Sequence, residues 1–183
     1  AYRRATREHL YVADASGARL LLASALPVEG RPNESFIARA VLEEAPTPQH
    51  PSGATFDDDI ELLGYDLDLP GGDAVGAGQR FSVTWYWKVL GKAPPGYKVF
   101  VHIDGNGLRL NGDHEPVGER YPTKLWSEGD IIADSQTLTV PPNFRPGDYT
   151  INLGFFSGSK RLEVSPGASD GENRARVGVL PVR

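Results

Sequence analysis

Residues 81–89 alternate strictly between apolar and polar side chains, and this pattern limits the chain to a narrow class of folds. The apolar positions are Phe81, Val83, Trp85, Trp87 and Val89. Because successive side chains of a β-strand point to opposite faces, the pattern predicts a strand with one buried face and one solvated face. Trp85 and Trp87 lie on the apolar face, so we expect both rings in the core.

Glycine and proline divide the rest of the chain into short segments. The 183 residues include 21 Gly and 15 Pro, a density that disfavours a helical bundle and favours many turns. Further strands are predicted at residues 63–67, 97–103, 131–140, 148–156, 161–164 and 176–182. The sequence therefore predicts an all-β fold, an antiparallel β-sandwich of immunoglobulin-like or jelly-roll-like type, across residues 53–183.

The N-terminal residues predict a small subdomain of a different character. Two apolar segments within residues 9–23 flank a turn-like sequence and predict a hairpin. Asn33 and Ser35 are alternative N-caps for a short helix that is predicted through residues 36–41.

A proline-rich stretch separates this subdomain from the predicted sandwich. Residues 43–53 contain Pro46, Pro48 and Pro51, each of which removes a backbone donor and restrains the residue before it. The stretch predicts an extended connector, so we place a domain boundary near residue 52, between residues 1–52 and residues 53–183.

Charge and cysteine content exclude several kinds of partner and site. The formal net charge of −5 provides no basic field for a phosphate backbone, so no nucleic-acid partner is expected. The absence of cysteine excludes disulfides, thiolate metal sites and cysteine nucleophiles. The longest apolar run, residues 20–26, is far shorter than the roughly 20 residues that span a bilayer. The chain begins without Met, and we interpret it as a mature or excised piece.

Polar side chains concentrate between residues 102 and 134, which makes this the predicted site region. Asp104, Asn106, Asn111 and Asp113 supply oxygen ligands on a glycine-rich backbone that would suit Ca²⁺. The spacing departs from that of an EF-hand loop. Asx-Gly pairs are above all turn formers, so we favour turns over a metal site and expect no cofactor.

The same region contains candidate residues for a glycan-binding surface. An aromatic ring offers a flat face to the C–H surface of a sugar, while amides, carboxylates and imidazoles bind hydroxyls. The candidates are Tyr121, Trp126, Asn111, Asp113, His114 and His102. The alternative is that Trp126 packs into the core beneath a long loop, as large aromatic residues usually do.

Catalytic motifs are absent from the sequence, and we assign no catalytic residue. Carboxylate pairs such as Asp113 with Glu115, or Asp130 with Asp134, suit a glycosidase only at a particular separation. Neither an H-E-x-x-H motif nor a G-x-S-x-G motif is present, and no glycine-rich phosphate loop precedes a helix.

Several sequence blocks resemble β-sandwich domains of bacterial membrane proteins. The blocks are Val-Phe-Val-His-Ile-Asp at 99–104, Arg-Leu-Asn-Gly-Asp-His at 109–114, Tyr-Pro at 121–122, Leu-Trp at 125–126 and Gly-Asp at 129–130, with residues 61–66 upstream and 146–156 downstream. Many such domains follow multi-helix membrane glycosyltransferase segments that are similar to the dolichyl-phosphate-mannose mannosyltransferases. The resemblance covers residues 50–164, and it implies a domain outside the cytoplasm, C-terminal to the last membrane helix.

The residues and the resemblance together predict a non-catalytic, extracytoplasmic accessory domain, on the periplasmic or cell-surface side of a membrane. We expect it to bind a glycan or to position substrate for a membrane glycosyltransferase, whose membrane-embedded portion would belong to the same polypeptide. The alternative is a purely structural or protein-interaction domain without a ligand. A glycoside hydrolase-like enzyme is the third hypothesis.

Overall fold

The computed structural model describes residues 2–6, 9–13, 19–22, 37–42, 44–119, 121–165 and 167–183. Within these residues the regular structure is β-strand, with one short 3-10 helix at Thr123–Leu125 and no α-helix. The strands are β1 (Tyr2–Thr6), β2 (His9–Ala13), β3 (Arg19–Leu22), β4 (Ile37–Leu42), β5 (His50–Phe56), β6 (Ile60–Asp68), β7 (Arg80–Val89), β8 (Lys98–Gly105), β9 (Leu108–Asn111), β10 (Ile131–Thr139), β11 (Gly147–Ser157), β12 (Lys160–Arg161) and β13 (Ala175–Val182). No helix in the described part of the chain has the length and apolar character that crossing a membrane requires.

The strands form two antiparallel sheets that share one hydrophobic core. The larger sheet has the order β1-β2-β3-β4-β10-β7-β6-β5. In the smaller sheet, β8 lies between β9 and β11, and β12 and β13 both pair with the other edge of β11. Apolar side chains from both sheets belong to one buried cluster. The predicted all-β antiparallel sandwich is therefore confirmed.

The alternating segment at residues 81–89 forms the middle of the core as expected. It lies within β7, and its five apolar side chains are all buried. Trp85 and Trp87 are 1% and 0% exposed, so the core prediction for both rings is confirmed. The ring of Trp87 meets that of Phe155 from the opposite sheet edge-on, with centroids 4.9 Å apart, a favourable aromatic geometry.

A tyrosine corner anchors the start of β11. The hydroxyl of Tyr149 donates to the carbonyl of Arg145 at 3.0 Å and accepts from its backbone N–H at 3.1 Å. The Tyr149 ring also stacks on Phe144, with centroids 4.4 Å apart. A tyrosine that bonds back to the backbone a few residues upstream is a feature of immunoglobulin-like sandwiches.

The helix predicted at residues 36–41 is wrong, because this segment contains strand β4. In β4, Val41 and Leu42 pair with Ile132 and Ile131 of β10, and Val41 is fully buried. β-Branched residues such as Ile37 and Val41 favour a strand when a sheet edge is available, and tertiary pairing here outweighs the local helix signal. The predicted caps Asn33 and Ser35 lie outside the described residues.

The predicted connector ends earlier than expected, because β5 begins at His50. Pro51 therefore lies inside a strand, and the boundary at residue 52 falls within β5. β5 is an edge strand whose register shifts between Pro51 and Ala54, and both features tolerate a proline that cannot donate to the ladder. Whether residues 1–52 behave as a separate unit stays a prediction.

Candidate functional site

The outward face of the smaller sheet carries an unusual set of side chains. In β8, the buried Val99, Val101 and Ile103 belong to the core cluster, and the residues between them point to the opposite face. On that outer face, Phe100 pairs with Gly154 of β11, and His102 pairs with Asn152. An aromatic ring and an imidazole thus lie where a solvated strand normally places polar groups.

Phe100 and His102 form part of a groove of about 440 Å³ on the outer face of the smaller sheet. The groove has aromatic, cationic, acidic and amide groups in its walls. Its lining residues are Phe100, His102, Asp113, Phe156, Gly158, Ser159, Arg161 and Asn173. Its volume is in the range of ligand sites, and its lining is mainly polar, with Phe100 and Phe156 as the aromatic part.

Gly154 creates the space that the Phe100 ring occupies. A Cβ atom at Gly154 would lie 2.6 Å from Cζ of Phe100 and 3.2 Å from the carbonyl oxygen of Asn173. The guanidinium carbon of Arg161 lies 4.7 Å from the centroid of the Phe100 ring, a cation–π contact. The close approach of backbone, ring and guanidinium therefore depends on the absence of a side chain at Gly154.

Two buried polar atoms beneath this face have unused hydrogen-bonding capacity. Nδ1 of His102 and Oδ1 of Asn152 have no hydrogen-bond partner among the described residues. Their residues are only 8% and 4% exposed. Each such buried atom destabilises a fold by about 1–3 kcal/mol, so its presence calls for a functional or structural reason.

Burial favours the neutral form of the His102 imidazole. Burial lowers the pKa of His102, as does the nearby charge of Arg109, while Asp113 and Asp104 act in the opposite direction without reversing the shift. A neutral imidazole has one N–H donor and one acceptor nitrogen. Nδ1 is itself buried, so a ligand in the groove reaches it only if the side chains that cover it move.

Three of the predicted binding residues come together at one side of the groove. Oδ1 of Asp113 accepts from the backbone N–H of Val101 at 3.1 Å and lies 3.7 Å from Nε2 of His102. The side-chain amide of Asn111 donates to Oδ2 of Asp113 at 3.3 Å. His102, Asp113 and Asn111 thus form a connected polar cluster, of which the first two line the groove.

Tyr121 and Trp126 do not contribute to this surface, and the prediction that they form a sugar-stacking face is wrong. They are only 1% and 7% exposed. The indole N–H of Trp126 donates to the Tyr121 carbonyl at 2.8 Å, and its ring meets Phe155 edge-on at 5.9 Å. The segment that contains the 3-10 helix folds over the core and buries both rings, which leaves no exposed face on which a sugar could stack.

His114 also lies outside the groove, in a buried pair with Asp134. Its Nε2 donates to Oδ2 of Asp134 at 2.9 Å, and its Nδ1 donates to the Gly112 carbonyl at 2.8 Å. Burial acts to lower the pKa of His114, but the hydrogen bond and charge of Asp134, helped by the Gly112 carbonyl, outweigh it and raise the pKa. Because both nitrogens face oxygen acceptors, the protonated ring fits this position and neither nitrogen is available to a ligand.

The residues considered for calcium binding have other partners in the structure. Asp104 accepts two hydrogen bonds from Arg109, at 2.6 and 2.9 Å, and Arg174 lies 3.4 Å from the same carboxylate. Asn106 has a φ of 51° in the turn between β8 and β9, and its amide donates to the Tyr149 hydroxyl at 3.4 Å. In the part of the chain that the structure describes, no three His, Asp or Glu side chains are grouped as a metal site.

Sequence reasoning missed six of the eight residues that line the groove. They are Phe100, Phe156, Gly158, Ser159, Arg161 and Asn173. One signal was present in the sequence. In residues 99–103, every side chain except that of His102 is apolar or aromatic, on both faces of the strand. Such a run indicates that both faces of the strand are covered. The turn residues of the other wall carry no comparable signal.

Comparisons with known proteins support the fold. No protein-family model matches the sequence, and no curated protein matches it. The structure is similar to the crystal structure of the C-terminal domain of Wzt, with a TM-score of 0.53 and 15% sequence identity over 75% of this chain and 82% of that chain. A Niemann-Pick type C2 protein from the Japanese carpenter ant matches with a TM-score of 0.45 and 7% identity, over 70% of this chain and 99% of that chain. At 15% identity, the likeness to the Wzt domain establishes a shared β-sandwich fold alone.

Proposed function

We propose that the chain is a non-catalytic ligand-binding β-sandwich domain, and that its ligand is a glycan held in the groove on the outer face of the smaller sheet. One observation carries this proposal. The groove combines an aromatic wall with hydrogen-bonding groups, and the buried His102 in its lining has a ring nitrogen with no partner among the described residues. A hydrogen bond to a bound ligand would satisfy this ring nitrogen.

The chemistry of the groove suits a sugar because sugar hydroxyls both donate and accept hydrogen bonds. Arg161 and Asn173 offer donors, and Asp113 offers an acceptor on the other side. Ser159 can do either. Phe156 is half-buried and presents an apolar surface against which the C–H groups of a sugar ring can pack.

The environment of the candidate catalytic carboxylates supports binding rather than hydrolysis. Asp134 is fully buried, and Asp130 accepts from the Tyr121 hydroxyl at 2.5 Å. Glu115 lies 3.0 Å from the ammonium group of Lys98. A glycosidase needs two carboxyl groups that flank the bond to be cleaved, and of the four candidate carboxylates only Asp113 lines the groove.

A structural domain without a ligand is the second candidate, and the burial of Tyr121 and Trp126 favours it. With those two rings in the core, the case for binding rests on the groove alone. A binding measurement therefore separates the two candidates.

We also propose that the domain works outside the cytoplasm as an accessory to a membrane glycosyltransferase. This part rests on the sequence resemblance over residues 50–164. Reporter fusions to the full-length gene product would test it. Activity of a reporter that works only outside the cytoplasm, fused after residue 183, supports the proposal, and activity of a cytoplasmic reporter at that point contradicts it.

A glycan array followed by calorimetric titration of the best ligand tests the binding function. We expect the wild-type domain to bind and His102→Leu to lose at least about tenfold in affinity, since each lost hydrogen bond to a ligand is worth about that factor. The melting temperature of His102→Leu should stay the same or rise, because the change removes a buried atom without a partner.

Thr150→Val is the matched control for this experiment. Thr150 belongs to β11 two residues before Asn152, on the same face of the sheet, and it does not line the groove. The affinity of Thr150→Val for the glycan should match that of the wild type. If the wild-type domain binds nothing on an array of neutral and acidic glycans, the binding function is wrong and the structural alternative replaces it.

A further inference from the structure

We propose that the ligand of the groove carries an acidic group, either a carboxylate or a phosphate, which Arg161 binds. This inference rests on the proposed glycan-binding function and narrows the ligand class to acidic glycans. It follows from the charge balance around the groove, from the way in which Arg161 is held, and from the distribution of acceptors on the opposite wall.

Arg161 has no acidic partner among the described residues, unlike Arg109 and Arg174. Arg109 is paired with Asp104 at 2.6 Å, and Arg174 is paired with Asp170 at 2.6 Å. Among the described residues, no carboxylate lies within ion-pair distance of the Arg161 guanidinium. The wall of the groove therefore presents a cation whose charge the surrounding protein leaves uncompensated.

Two contacts hold the guanidinium of Arg161 in place without using most of its donors. Its Nη1 donates to the backbone carbonyl of Glu172 at 2.8 Å, and its Cζ lies over the Phe100 ring, 4.7 Å from the ring centroid. The N–H groups on Nε and Nη2 have no acceptor among the described residues. A planar guanidinium with two free donors matches the paired oxygens of a carboxylate or phosphate, and its fixed position reduces the entropy lost on binding.

Asp113, on the opposite wall of the groove, determines which way round the ligand binds. Asp113 is acidic, so it would repel an anionic group placed beside it. Its oxygens already accept from the backbone N–H of Val101 and the amide of Asn111. The acidic group of the ligand therefore belongs at the Arg161 end, with neutral hydroxyls toward Asp113 and His102.

Titration with three sugars that share one ring tests the proposal. Glucose, glucuronate and glucose 6-phosphate differ in having no charge, a carboxylate or a phosphate, and binding is followed through the arginine Nε–H signals in nitrogen-15 NMR spectra. We expect at least one acidic sugar to bind about tenfold more tightly than glucose and to shift the Arg161 signal, because charge-assisted hydrogen bonds are the stronger ones. The acid that binds identifies the acidic group.

Charge variants decide whether Arg161 is responsible. Arg161→Gln should abolish the preference, so that both acidic sugars bind this variant no more tightly than glucose does. Lys160→Gln is the matched control, because Lys160 is the neighbouring exposed cation of β12 and does not line the groove. It should retain the preference.

The outcomes separate this inference from the function on which it rests. Glucose binding as tightly as both acids would overturn the acidic ligand and leave glycan binding intact. Loss of the preference in Lys160→Gln as well as in Arg161→Gln would also overturn it, because the effect would then be one of general surface charge. If none of the three sugars binds and the glycan array is also blank, both proposals fail.

Discussion

Nε2 of His114 and Oδ2 of Asp134 lie 2.9 Å apart and join the two sheets of the sandwich from inside. Asp134 belongs to β10 of the larger sheet, and His114 forms a β-bridge with Val99 in β8 of the smaller one. The carboxylate of Asp134 also accepts from the backbone N–H of Val117 at 2.8 Å and from the indole of Trp87 at 3.4 Å. One buried carboxylate thus ties together three segments that are distant in sequence.

Removing this carboxylate should severely destabilise the protein. Asp134→Ala leaves His114, Val117 and Trp87 with buried donors and no acceptor, so we expect a loss of about 3–5 kcal/mol in the free energy of unfolding. Urea denaturation measures it. The control is Asp148→Ala, whose exposed ion pair with Arg183 should contribute less than about 1 kcal/mol. Equal stabilities for the two variants would contradict the role given to Asp134.

The same pair should make stability depend on pH. The folded-state pKa of His114 is raised, so its stabilisation is complete below the unfolded value of about 6.5 and is lost as the pH rises through the folded pKa. We expect the difference in unfolding free energy between wild type and His114→Gln to shrink as the pH increases from about 6 to 9.

The wild type has to be compared with His114→Gln because the ionisation of His102 changes stability with pH in the opposite direction. Its lowered pKa destabilises the fold as the pH falls below about 6.5, in wild type and variant alike. Taking the difference between the two proteins removes this contribution. A difference that stays constant over the whole pH range would show that His114 carries no ionisation-linked stability.

Trp126→Ala should unfold the domain more easily because the ring is part of the core. The indole packs against Phe155 and donates to the carbonyl of Tyr121. We expect a loss of about 3–5 kcal/mol, as for other buried large aromatic residues. Thermal melting measures this effect. A melting temperature within a degree or two of wild type would mean that the ring is exposed, and would restore it as a candidate sugar platform.

Gly154→Ala should distort the groove from beneath. The new Cβ would lie too close to the Phe100 ring, so the ring must move and we expect a loss of about 1–3 kcal/mol together with weaker ligand binding. Gly167→Ala is the control, because a Cβ there meets nothing within 4 Å. Melting curves and titration of the array-selected glycan on both variants give the two readouts. Unchanged binding in Gly154→Ala would remove Phe100 from the site.

The sequence was sufficient for the fold class because its strongest signals are local. Alternation along residues 81–89 reports which face of a strand is buried, whatever strand lies beside it. Turn residues mark the ends of strands in the same local way. The all-β sandwich and the burial of Trp85 and Trp87 follow from these patterns.

Local signals were not sufficient where pairing partners decide the structure. Residues 36–41 have a plausible helix start, yet β4 forms because the edge of β10 supplies partners for Val41 and Leu42. Tryptophan is a residue type that suits a sugar-binding surface, yet the loop that carries Trp126 folds over the core and buries the ring. In both cases the free energy comes from contacts with distant residues, which a reading of neighbouring residues does not include.

The sequence by itself determined the type of fold and its main strands, and it singled out His102 and Asp113, which the structure places in the groove. Only the tertiary structure decided that Arg161 lies over Phe100 and that His114 reaches Asp134 instead of a ligand. The physical reason is register. Side chains on one face of a sheet meet according to which strands pair and at which residue, and a shift of one residue would send them to the other face.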